Sequence, residues 1–172
     1  IQADLTTYGK IIGGGMPVGA YGGKREIMEV VAPVGSVYQA GTLSGNPVAM
    51  AAGLAQLTYL NGHPEVYEQL EKMGERLYGG MESMCRELAL SCQVNYAGSL
   101  GCMFFTRESV TDYRSAKSSD TEAFCGYFRH MLENGIYTAP SQFEAMFLCT
   151  AHTEEDIRFT LDTMHKYFEK QG

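Results

Sequence analysis

Between Val66 and Leu88 the residues Val66, Leu70, Met73, Leu77, Met81, Met84 and Leu88 follow one another at intervals of four, three, four, four, three and four. Only an α-helix brings side chains at that spacing onto one face. The pattern predicts an amphipathic helix from Pro64 to about Leu90, opened by the proline, with a possible bend at Gly79-Gly80. Methionine in the stripe fits core packing better than a promiscuous binding face, because the spacing is helical throughout. A helix with one apolar stripe has to lie on another layer. The residues that follow supply it. Gln93–Ala97 and Gly101–Thr106 read as strands around the turn Gly98-Ser99-Leu100. Ser109–Ser119 is polar and reads as loop. Asp120 is placed to cap a helix to about Glu133 with Phe124, Phe128 and Met131 inward, stopped by Asn134-Gly135. Ile136-Tyr137-Thr138 and Phe147–Ala151 read as short strands. Thr153 with Asp156 opens a last helix whose inner face is Ile157, Leu161, Met164 and Phe168. From about Asn61 onward this is an α+β layer with antiparallel pairing.

The first 60 residues have another character. Lys10-Ile11-Ile12 reads as a short strand, followed by the turn Gly13-Gly14-Gly15 and a second run at Val18–Tyr21. Lys24–Val31 reads as a short helix ended by Pro33. Gly35–Leu43 is loop or extended and carries Tyr38, Gln39 and Thr42. Asn46 as N-cap and Pro47 at the first helical position open an Ala- and Met-rich helix to Leu60, small enough on its surface to pack closely. A lysine between an apolar run and glycines has two readings. Buried, it loses charge and becomes the amine nucleophile of a Schiff-base enzyme. Exposed, it is a surface lysine before a turn, and the pattern alone does not choose. The glycines are not a dinucleotide fingerprint: Gly13, Gly15 and Gly19 miss the G-x-G-x-x-G spacing, and Pro17 stands where a helix would open.

Composition sets outer bounds. A chain of 172 residues with 45% hydrophobic content can bury one ordinary core. A net charge of −7 disfavours nucleic acid and anionic membrane surfaces as partners. No apolar run approaches the roughly 20 residues of a membrane span. Cys85, Cys92, Cys102, Cys125 and Cys149 lack metal-site spacing and are read as buried, reduced thiols. The four histidines, His63, His130, His152 and His165, show no ligand spacing either, so no metal site is expected. The chain opens on Ile1 without a Met, and a preceding segment is expected.

Three separated segments resemble one family. Asp4-Leu5-Thr6-Thr7-Tyr8-Gly9-Lys10 with Gly13-Gly14-Gly15-Met16-Pro17-Val18-Gly19-Ala20 is similar to the cofactor-lysine segment of the class III aminotransferases. Gly41-Thr42-Leu43-Ser44-Gly45-Asn46-Pro47 follows at that family's distance. Ala139-Pro140-Ser141-Gln142-Phe143-Glu144-Ala145 resembles a segment of its aminomutase members. The resemblance runs from Asp4 to about Phe168.

What the resemblance implies is specific. The fold would be α/β, the C-terminal part of a fold type I pyridoxal-phosphate-dependent transferase. Residues 1–60 would be a remnant of the large cofactor-binding domain and 61–172 a small C-terminal α/β domain with an antiparallel sheet. Lys10 would hold pyridoxal 5'-phosphate and move protons. Gly41 and Thr42 would contact the phosphate of the neighbouring subunit's cofactor in a homodimer, with Tyr38 in the same loop. Glu144 would face the substrate, in a region where ordinary aminotransferases of this class place an arginine. The implied reaction turns (S)-4-amino-5-oxopentanoate into 5-aminolevulinate for tetrapyrrole synthesis, with the cofactor cycling through its pyridoxamine form, in bacterial cytoplasm or the plastid stroma. Two other readings stay open: an aminotransferase with a separate 2-oxo acid acceptor, and a non-catalytic dimerisation fragment. In family members the pyridine-nitrogen partner, the ring-stacking residue and most phosphate contacts lie upstream of this segment. The 172-residue chain by itself is therefore expected to be inactive.

Overall fold

The computed structural model describes residues 2–170. The chain divides between Pro64 and Glu65 into two compact units.

In the first unit, β1 (Leu5–Tyr8) pairs antiparallel with β2 (Ala20–Gly23), Leu5 opposite Gly23 and Tyr8 opposite Ala20. The β-formers are Thr6, Thr7 and Tyr8, so the strand precedes the lysine. The strand predicted at Lys10-Ile11-Ile12 is instead a 3-10 turn, Lys10–Gly13. Lys10 sits at φ +52° and Gly14 at φ +56°, left-handed values that no strand accommodates. An ion pair from Lys24 to Asp4, with the Lys24 N–H on the Asp4 carbonyl at 3.1 Å, closes the open end of the hairpin. A short helix α1 (Arg25–Met28) follows.

Helix α2 (Pro47–Gly62) starts at Asn46 as predicted, the Asn46 Oδ1 accepting Val48 and Ala49 N–H at 3.1 Å each. Its small residues receive the 3-10 turn. A side chain at Gly53 would overlap the Ile12 carbonyl oxygen, and a Cβ on Gly14 would stand 2.5 Å from the Ala52 oxygen. Backbone rests on backbone there, at a distance only glycine permits.

The second unit is the α+β layer. Helix α3 (Glu65–Glu87) runs without interruption through Gly79-Gly80. Strands β3 (Gln93–Ala97) and β4 (Leu100–Phe104) form an antiparallel hairpin, and the two-residue β5 (Met146–Phe147) joins β4 antiparallel. The predicted strand Phe147–Ala151 thus shrinks and shifts, and Ile136–Thr138 forms no strand. Pro140 two residues on lacks the N–H that a longer ladder needs. Within Ser109–Ser119 a short helix α4 (Tyr113–Ala116) forms where a loop was expected. A capping box between Asp112 and Ser115 nucleates it.

Helices α5 (Thr121–Glu133) and α6 (Glu154–Glu169) carry their predicted caps, Asp120 and the Thr153–Asp156 box. The core lies between α3, α5, α6 and the inner face of β4. Its fully buried large side chains are Tyr78, Met81, Met131 and Met164, with Tyr127 and Phe168 stacked beside them. Tyr78 donates its hydroxyl toward Met146 O at 3.1 Å and Ser99 O at 3.3 Å, tying β5 and the hairpin turn to α3. Gly101 lies against the Tyr78 ring, where no Cβ would fit. His130 Nε2 donates to the Thr163 carbonyl at 3.1 Å and links α5 to α6. Cys92 is buried, but Cys125 and Cys149 are exposed, against the expectation of five buried thiols. Cys125 lies on the outer face of α5, and Cys149 lies in the loop after β5. Among the described residues no helix is long and apolar enough to cross a membrane.

Candidate functional site

Lys10 stands just past the end of β1, between Gly9 in extended conformation and the 3-10 turn. Its side chain is exposed, and its ammonium has no hydrogen-bond or ion-pair partner among the described residues. A lysine at φ +52° is strained by roughly 1–2 kcal/mol relative to right-handed backbone. The strain is held by the turn it begins. Gly14 N–H bonds the Ile11 carbonyl at 3.1 Å, Gly13 is buried, and the turn lies on α2 at Ala52 and Gly53. A fixed base therefore presents a mobile, solvated primary amine. The sequence shows the glycines but not the left-handed lysine, for which Gly9 beside it is the only local hint.

Tyr38, Gly41 and Thr42 share a second loop and are all exposed, Tyr38 at 83 %. The loop leaves a bridge between Val31 and Val37 and ends in a turn in which Ser44 N–H bonds the Gly41 carbonyl at 2.9 Å. A Cβ on Gly41 would lie 2.8 Å from Ser44 Oγ, so a side chain there would turn the Ser44 hydroxyl aside. The α2 N-terminus beside this loop is not open. Asn46 Oδ1 already takes the Val48 and Ala49 N–H groups, Met50 N–H bonds the Asn46 carbonyl, and Pro47 has none. Any anion held by this loop meets the Thr42 hydroxyl and the turn backbone, aided by the helix dipole only at a distance. No hydrogen bond joins this loop to Lys10 among the described residues.

Glu144 belongs to the second unit. It is exposed and ends a turn in which its N–H reaches the Ser141 carbonyl at 3.2 Å and Phe143 N–H reaches Ser141 Oγ at 3.2 Å. Beneath it lies Gln142, a residue the sequence did not single out. Gln142 is 2 % exposed, and its Oε1 accepts the Phe105 N–H at 3.2 Å. No feature of Ser141–Ala145 distinguishes which of its polar residues turns inward. Glu144 and Lys10 belong to different units.

The aminotransferase class-III family model matches residues 1–168. A curated relative from Lachnoclostridium phytofermentans, glutamate-1-semialdehyde 2,1-aminomutase 1, is 62% identical over 169 residues, covering 98% of this chain and 40% of the relative. The chain thus spans about two fifths of the length of the curated relatives it matches. Among solved structures, a β-phenylalanine aminotransferase from Variovorax paradoxus superposes with a TM-score of 0.89 at 32% identity, covering 99% of this chain and 39% of that one. A transaminase with PLP bound gives a TM-score of 0.80 at 30% identity, covering 98% of this chain and 38% of that one.

Proposed function

This chain belongs to the aminotransferase class-III family, and we propose that the protein carrying it is a pyridoxal-phosphate-dependent aminomutase. Its reaction would convert (S)-4-amino-5-oxopentanoate to 5-aminolevulinate, feeding tetrapyrrole synthesis. The unpartnered amine of Lys10, on a turn locked to α2, is the observation that carries the reading. The 62% identity to an aminomutase supports it over a two-substrate aminotransferase.

The residues present fit the cofactor. A primary amine is the donor an aldehyde cofactor requires, and Lys10 offers one free of competing partners. Of the glycines that follow, Gly13 and Gly14 are packed into the turn and against α2, and Gly15 is exposed with open space around it. When bound, the cofactor supplies an electron sink for the substrate carbon. Lys10 Nζ would hold the cofactor at rest and, once released from it, would be the base that takes and returns the proton of the substrate carbon. The Thr42 hydroxyl donates to a phosphate oxygen, with the Gly41 backbone beside it, and Tyr38 extends the same contact surface. We assign that contact to the cofactor of a neighbouring subunit in a homodimer, which the exposure of the whole loop supports. The Glu144 carboxylate faces the substrate, where it holds an amine and repels the carboxylate of an ordinary amino acid. In this reading residues 1–60 come from the large cofactor domain and 61–172 form the small C-terminal domain.

The test is product formation by the full-length protein with no 2-oxo acid added. Sustained 5-aminolevulinate release is expected. Turnover only with an added 2-oxo acid would make the protein an aminotransferase. The 172-residue chain alone is expected to release none.

A further inference from the structure

Gln142 is 2 % exposed, although Phe143 and Glu144 beside it are exposed. The loop it anchors has little else to hold it. Within the loop there is one short turn closed on Ser141. Every other hydrogen bond to the loop among the described residues comes from β4 or the residue after it. The Cys102 thiol donates to the Gln142 carbonyl at 2.8 Å and lies 3.7 Å from the Glu144 carbonyl. Phe105 N–H donates to Gln142 Oε1 at 3.2 Å. Burial pushes the Cys102 thiol up to about 11, so at neutral pH it keeps the proton it donates.

The far side of the amide is incomplete. Among the described residues Gln142 Nε2 has no partner, and neither does Thr138 Oγ1. Both residues line a cavity of about 10 Å3, room for a single water. A buried amide with an orphaned N–H group is a costly way to fill space, and an apolar side chain of similar shape would pack without that cost. What leucine could not do is tie the loop to Phe105.

We propose that Gln142 is the positioning residue for Glu144: its buried amide, completed by one water shared with Thr138 Oγ1, seats residues 141–144 on β4 and fixes where the Glu144 carboxylate stands. The proposal rests on the reading of Glu144 as a substrate-facing group. It assigns Gln142 no contact with substrate or cofactor.

The experiment compares Gln142→Leu, Glu144→Gln and the double variant in the full-length holoprotein. Loss of the seat should speed exchange of the Phe105 N–H and iodoacetamide labelling of Cys102 by about tenfold, the scale of one hydrogen bond. KM should rise while kcat falls less, and Gln142→Leu should add nothing to the loss in kcat/KM already caused by Glu144→Gln. Unchanged exchange and labelling would overturn the seat. Faster exchange with additive losses in the double variant would overturn its action through Glu144. Wild-type kinetics in Glu144→Gln would instead remove the assignment of Glu144, and the exchange and labelling rates would then decide the seat alone. If Gln142→Leu does not fold, Cys102→Ala removes only the thiol donor. It should speed Phe105 N–H exchange about threefold if the proposal holds and leave it unchanged if it does not.

Discussion

The Ile12 carbonyl oxygen rests against Gly53 of α2 so closely that no side chain fits between them. Together with Gly14 on Ala52, this contact makes the turn that begins at Lys10 a fixed extension of α2. Gly53→Ala has to lift the turn, an overpacking cost of about 1–3 kcal/mol. The expected outcome in the full-length protein is a lower denaturation midpoint together with weaker cofactor retention, read by absorbance after gel filtration. Gly135, at φ +83° with open space around it and in the other unit, serves as a control: its replacement should lower stability without loosening the cofactor.

Lys10 at φ +52° gives a second test, because backbone strain and loss of the amine can be separated. Both Lys10→Ala and Lys10→Gly remove the amine, and only glycine relieves the strain. Lys10→Gly should be more stable than Lys10→Ala by about 1 kcal/mol in urea denaturation. The reverse order would mean that the left-handed conformation costs nothing here.

Much of this architecture was legible. The four-and-three spacing from Val66 to Leu88 became α3, and the caps at Asn46, Asp120 and Thr153 opened the helices they were expected to open. Such signals are local: each depends on residues within one or two turns. The misreadings share the opposite cause. Ile11 and Ile12 look strand-like, but the turn they occupy is decided by α2, some forty residues on. Ile136–Thr138 has strand composition, yet it joins neither sheet, and Pro140 beside it lacks the N–H that a ladder needs. Glu144 could be named from a motif, whereas the inward turn of Gln142 depends on Phe105 and Cys102 and is invisible along the chain. Asn46 was read correctly as a cap, and that cap consumes the N–H groups that an open helix end would have offered to phosphate.

Acid should act on the caps with a definite sign. Hydrogen bonds from Thr153 backbone and side chain hold the Asp156 carboxyl below its ordinary 3.8, and Ser115 does the same for Asp112. A depressed folded value means that their contribution is complete above about 3.8 and is lost as pH falls through the lower folded value. Asp156→Asn should therefore flatten the acid limb of a stability-versus-pH curve and leave its neutral region parallel to wild type. An unaltered acid limb would show that the box does not form.

Tyr78 ties three elements through one hydroxyl. Tyr78→Phe leaves the Met146 and Ser99 carbonyls without that donor and should cost about 1 kcal/mol. Burial pushes the phenol up to about 12, so in an alkaline absorbance titration the variant should lose a phenolate step near 12. Loss of a step near 10 instead would contradict the buried placement.

The central claim is that Lys10 Nζ is the group that holds pyridoxal phosphate. Borohydride reduction of the full-length holoprotein, followed by peptide mass mapping, tests it directly. A phosphopyridoxyl adduct on the peptide containing Lys10, absent after Lys10→Ala, is the expected result. An adduct on another lysine, or cofactor released intact after reduction, would contradict it.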